Sequence, residues 1–186
     1  MVTISFEGGE GSGKGTVCKQ IETFLSKKGY KVLSLREPGS TECGEDIRSV
    51  ILKHADINSV TEALLFAASR CELVDKKVKP AISAGKYDFI LFDRFIYSSF
   101  VYNGLCNGLF DFVKKINDQF LNGWRPDICF LLDIDPETAR KRIENRKEGN
   151  NRIDYKPISY HRKIRDYYLS LADKFPDITV IDASKN

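Results

Sequence analysis

Methionine and tryptophan occur once each in these 186 residues, histidine twice and proline six times. No apolar run approaches the roughly 18 residues that would span a membrane, so a membrane helix is not expected. The five cysteines, Cys18, Cys43, Cys71, Cys106 and Cys129, are scattered, odd in number and never spaced C-x-x-C. That pattern excludes a disulfide framework or a zinc ribbon and points to a reducing, cytoplasmic setting. His54 and His161 lie far apart and near no cysteine cluster, so they read as surface or packing residues. Charge of one sign is also missing. Lys plus Arg is 29 and Asp plus Glu is 26, a net +3. A nucleic-acid polymer as partner would call for a larger basic excess. The first residues resemble neither a signal peptide nor a transit peptide. No repeat or low-complexity tract is present.

What remains is a 42% hydrophobic, 30% charged chain of single-domain length, expected to fold as one unit over residues 1–186. Short apolar runs at Val2–Phe6, Lys31–Leu35, Phe89–Phe92, Ile128–Leu132 and Ile178–Ile181 alternate with helix-period stretches. Several runs are apolar on both faces, as buried parallel strands are. The helical patterns include Val17–Leu25, a long stretch from Val60 to Ala84, Leu109–Leu121, and Ile164–Phe175. This order predicts a three-layer α/β/α fold on a five-stranded parallel sheet, with ligands beyond the carboxyl ends of the strands.

The first strand runs directly into Gly8-Gly9-Glu10-Gly11-Ser12-Gly13-Lys14-Gly15-Thr16. Strand before, helix after and Lys14 in register make this a P-loop over residues 8–16. Its backbone amides and helix start would cradle ATP phosphates, and Lys14 would reach the outer ones. Gly15 stands where Ser or Thr is usual, so Thr16 is the residue expected to touch phosphate or metal, directly or through water. Glu10 is repulsive beside phosphate and should face something neutral such as a sugar hydroxyl; the alternative is a solvated loop carboxylate.

Further clusters follow the other strands: Arg36-Glu37-Pro38-Gly39-Ser40-Thr41 with Gly44 to Arg48, Glu62 to Arg70 on the long helix, and Asp93-Arg94-Phe95 through Ser98-Ser99 to Tyr102-Asn103-Gly104. With Phe6-Glu7-Gly8 and the P-loop, these resemble the thymidylate kinase family over nearly the whole chain. Phe92 is bulkier than the residue usual before Asp-Arg, which should affect packing more than chemistry.

The resemblance implies an ATP- and Mg²⁺-dependent kinase acting on dTMP as a homodimer. It gives Phe66 the thymine ring and Arg70 a base carbonyl, which would exclude cytosine's amino group. Core packing for Phe66 and an ion pair for Arg70 are the alternatives. It assigns Arg94 and Arg48 to the acceptor phosphate, with Arg36 assisting or equally structural. Asp93 would orient the metal's water shell, Ser99 would contact the base, Tyr102 would crowd the sugar's second carbon, and Glu10 would meet the 3′-hydroxyl.

After the fourth strand, Asp133-Ile134-Asp135-Pro136 opens a helix that turns basic at Arg140, Lys141, Arg142, Arg146, Lys147 and Arg152. The polar 147–151 stretch suits a mobile loop, and the resemblance implies a short lid over about 140–155, with Arg142 toward ATP and Asp154 replacing the family's more usual Glu. Gly9 to Ser12 contain no basic residue, so Arg146 or Arg152 is expected to neutralise the transferring phosphate, alongside Lys14 and Arg94. Dimerisation would use apolar faces of the long helix or of Leu109–Leu121, although core burial explains those stripes as well. The competing readings are a deoxynucleoside kinase or another nucleoside monophosphate kinase. A GTPase-type switch lacks its D-x-x-G and N-K-x-D motifs here.

Overall fold

The computed structural model describes residues 1–54, 56–145 and 152–185. Five strands form the sheet: β1 (Val2–Glu7), β2 (Val32–Arg36), β3 (Phe89–Asp93), β4 (Ile128–Asp133) and β5 (Ile178–Asp182). Their order is β2-β3-β1-β4-β5 and every pairing is parallel. The chain first builds outward from β1 to β2 and later crosses to β4 on the other side. β1 therefore sits at the switch point, where parallel sheets open a ligand crevice.

The helices are α1 (Lys14–Lys27), α2 (Glu42–Lys53), α3 (Ser59–Leu73), α4 (Lys79–Ala84), α5 (Ile96–Ser98), α6 (Phe110–Leu121), α7 (Pro136–Glu144) and α8 (Ile158–Ala172). The expected long helix at 60–84 is continuous from α3 to α4 but widens into a π turn at Val74–Val78. Pro80 lies just beyond. It has no N–H for the carbonyl four residues back, and its ring crowds that carbonyl, so the ladder must adjust there. α2 and the helical run from α5 through π turns at Ser99–Gly104 were not anticipated as helices.

Three helix starts carry side-chain caps: Thr41 on Gly44 N–H, Asn58 on Thr61 N–H, and Asp135 on Thr138 N–H. α1 differs. Its N-cap is Gly13, left-handed at φ 90° and without a side-chain cap. The main core packs helices α3, α6 and α8 against β3 and β4. Phe92 is fully buried there, its ring 4.7 Å from Phe95 and 6.2 Å from Trp124. Its bulk is thus absorbed by aromatic packing on one side of the sheet.

Candidate active site

The ends of β1, β2 and β3 feed one cleft of about 1390 Å³. Its floor is the P-loop. Gly11 at φ +75° needs the left-handed region, and a Cβ there would lie 2.5 Å from the carbonyl oxygen of Ala139. Lys14 is folded back, its ammonium donating to Gly9 O at 2.6 Å and Ser12 Oγ at 3.2 Å. Burial, reinforced by nearby Arg94, pulls its pKa down to about 8. Thr16 and Asp93 line the same cleft. A Cβ on Gly15 would meet Asp93 Oδ2 at 3.1 Å, so the glycine lets this carboxylate approach the start of α1. The described residues contain no cluster of three His, Cys, Asp or Glu that could cage a metal. One carboxylate beside a phosphate cradle fits Mg²⁺, which is held mainly by substrate phosphates and water.

Arg94 follows β3 at φ 68°, an uncommon conformation for a side-chain-bearing residue. Its guanidinium donates to Glu10 Oε1 at 2.6 Å, Ser98 Oγ at 3.0 Å, Gly8 O at 3.2 Å and Tyr168 Oη at 3.4 Å. It also lies 5.4 Å from the centre of the Tyr102 ring. Burial works against its charge, but Glu10 foremost and then Tyr102, Tyr168 and Glu7 hold its pKa well above the ordinary value. Arg48, from α2, reaches the cleft and donates to Pro38 O at 3.2 Å. Phe66 of α3 and Tyr102 line the cleft as well. The Tyr102 hydroxyl is 3.4 Å from Glu10 Oε1.

Three assigned residues lie off the cleft wall. Arg36 is exposed and spends its fork on Glu45, at 2.8 and 2.9 Å, bracing the loop after β2. Arg70 is 1% exposed behind the wall. It donates to Glu37 through Nε and Nη2 at 2.5–3.1 Å, to Asn117 Oδ1 at 2.8 Å and to Phe95 O at 3.1 Å. Ser99 is buried, and its hydroxyl has no partner among the described residues. Of the residues expected in a lid, Arg142 and Arg152 line the cleft, and Arg152 pairs with Glu62 of α3. Arg146 lies outside the described residues.

Glu37, Asn117, Glu7 and Tyr168 were given no role from sequence. Glu37 and Glu7 are both buried, and a carboxylate ending a buried strand was the available signal for Glu7.

Against known proteins, the sequence model of the family described as "Thymidylate kinase" matches residues 6–186. The chain belongs to the thymidylate kinase family. It is 45% identical over 187 residues to the thymidylate kinase of Geobacillus sp. (strain WCH70), covering 98% of this chain and 88% of that one. It is 40% identical to that of Staphylococcus haemolyticus, covering 98% and 90%. The crystal structure of thymidylate kinase from Ehrlichia chaffeensis superposes with a TM-score of 0.79 at 30% identity, covering 97% of this chain and 86% of that one. In this family member one cleft is lined by residues of the P-loop together with Arg48 and Arg94.

Proposed function

We propose that the chain transfers the γ-phosphoryl group of ATP to dTMP, giving ADP and dTDP for dTTP synthesis in the cytoplasm. The observation that carries this reading is the convergence of Lys14, Arg48, Arg94 and Phe66 on a single cleft. A nucleoside acceptor would need no pair of arginines beside Lys14.

Phosphoryl transfer leaves the protein mainly positioning and charge neutralisation. The uncapped start of α1 and Lys14 hold the ATP phosphates. Arg94 and Arg48 hold the acceptor phosphate in line, their planar forks each able to take two oxygens. Phe66 stacks on thymine, and Arg70, fixed behind the wall by Glu37 and Asn117, turns its remaining N–H toward the base carbonyl, with Ser99 also buried behind the wall. Tyr102 excludes a ribose 2′-hydroxyl, and Glu10 accepts from the 3′-hydroxyl. Thr16 and Asp93 would hold Mg²⁺, which would offset charge on the outer phosphates. Arg142 is on the ATP side. Arg146 or Arg152 neutralises the group in flight.

Two copies are expected to pair. Exposed Val60 and Leu64 on α3 and Phe112 on α6, two helices in contact, support this. Much of the same stripes, including Ala63, Ala67 and Val113, is buried. No helix among the described residues is long and apolar enough to cross a membrane.

Coupled ATP turnover with dTMP and with thymidine tests the acceptor phosphate requirement. Rapid turnover on dTMP and none on thymidine is expected; equal rates would favour a nucleoside kinase. For the lid, Arg152→Ala should lower kcat by about 10³-fold while changing the Kd of dTMP by less than about threefold, a free-energy change under ~1 kcal/mol. Unchanged kcat would remove Arg152 from the reaction.

A further inference from the structure

Glu7 is fully buried at the end of β1, yet it reaches the acceptor arginine through two hydroxyls. Its Oε1 accepts from Phe95 N–H at 2.8 Å, which pins the residue directly after the left-handed Arg94. Its Oε2 accepts from the Ser98 hydroxyl at 2.6 Å and the Tyr168 hydroxyl at 3.2 Å. These hydroxyls lie 2.9 Å apart, and both accept from Arg94 Nη1, at 3.0 and 3.4 Å. Burial pushes the Glu7 carboxyl above the usual carboxylate range, opposed first by the Ser98 hydrogen bond and then by Arg94 and the Phe95 amide; in its ionised form it can only accept hydrogen bonds. Each hydroxyl must therefore turn its proton toward Glu7 and its lone pairs toward the guanidinium. We propose that Glu7 is a positioning residue for phosphoryl transfer, setting the polarity of the Ser98 and Tyr168 hydroxyls so that Nη1 of Arg94 is held and its remaining donors face the acceptor phosphate.

The inference rests on Arg94 binding that phosphate. It also separates two neighbours in sequence. Gly8, the next residue, opens the ATP-binding loop, whereas Glu7 serves the acceptor side. Tyr168 comes from α8, 161 residues further on, so the network ties the helix after the lid to the acceptor arginine.

Glu7→Gln is close to isosteric but puts an amide donor where the two hydroxyl protons pointed, reversing the polarity of the relay. It is expected to raise KM for dTMP about tenfold, as loss of a charge-assisted contact does. Tyr168→Phe removes one relay arm and should raise it about threefold. KM for ATP should change less than about twofold in both, equivalent to under ~0.5 kcal/mol. In an Arg94→Lys background, Glu7→Gln should add less than about twofold.

The positioning role is overturned if KM for ATP rises in step with KM for dTMP, the signature of a loosened strand end. It is also overturned if the full effect of Glu7→Gln persists beside Arg94→Lys, or if Glu7→Gln and Tyr168→Phe leave KM for dTMP unchanged while Arg94→Lys raises it. If Arg94→Lys itself leaves KM for dTMP unchanged, the assignment of Arg94 falls and this inference with it. Should Glu7→Gln fail to fold, Tyr168→Phe alone and in the Arg94→Lys background gives the same comparison.

Discussion

Arg94→Ala is expected to lower kcat/KM for dTMP by about 10²–10³-fold, more than any other single replacement on the acceptor side. Two losses add. The first is the guanidinium fork that holds the acceptor phosphate. The second is the counterion of Glu10, whose carboxylate lies 2.6 Å from Arg94 and only 17% exposed. Without that cation, the carboxylate would repel phosphates bound at the P-loop. Initial rates over a dTMP series, with ATP saturating, measure the effect. A loss below tenfold would mean that Arg94 is not the main acceptor-phosphate ligand. Glu10→Gln with Arg94→Ala should recover part of the loss, since the repulsive half of the effect then disappears.

Glu37→Ala should be the most damaging change to stability. Its side chain and that of Arg70 are 3% and 1% exposed. Burial pushes the Glu37 carboxyl up, and Arg70 opposes the shift through its charge and hydrogen bonds. Removing the carboxylate strands a buried guanidinium, which costs about 3–5 kcal/mol. For a chain of this size that corresponds to a Tm lower by roughly 10 °C. Thermal unfolding and a denaturant titration check it, and a shift under about 3 °C would contradict it. Glu37→Leu combined with Arg70→Leu should be less destabilised than Glu37→Ala alone, because no charge is left behind. The double variant should still lose discrimination between dTMP and dCMP, separating the pair's part in folding from Arg70's part in reading the base.

The same buried pair marks where sequence reading stopped. All five strands were legible within about a residue; the central β1, β3 and β4 are largely buried on both faces, and the edge strands β2 and β5 showed as short apolar runs bounded by polar residues. α2 was not, because Gly44 and a mixed polar sequence blur its period. The run from Ile96 to Gly104 is nearly all buried, mixes Ser98, Ser99 and Asn103 among its apolar residues and is partly in π register, so no 3.6-residue stripe stands out. The P-loop, Arg48, Phe66, Asp93, Arg94 and Tyr102 were legible because each sits in a compact motif next to a strand or on one helix face. Glu7, Ser98, Tyr168 and Asn117 act through contacts between segments far apart in the chain, and no local pattern reports such contacts. Arg70 was legible as a polar residue on the right helix. Its burial behind the cleft wall, with most of its donors given to protein, was not. Arg36 was placed with the phosphate ligands by its motif, and only the fold reveals Glu45 as its partner.

Acceptor choice is the property on which the whole reading depends. ATP turnover should be measured with dTMP, dCMP, AMP and GMP offered in turn at equal concentration. The arrangement of Phe66, Arg70, Arg94 and Tyr102 predicts that dTMP is turned over at least about 10²-fold faster than any of the others, because a mismatched base leaves buried polar groups unpaired. A rate with AMP equal to or above that with dTMP would contradict it.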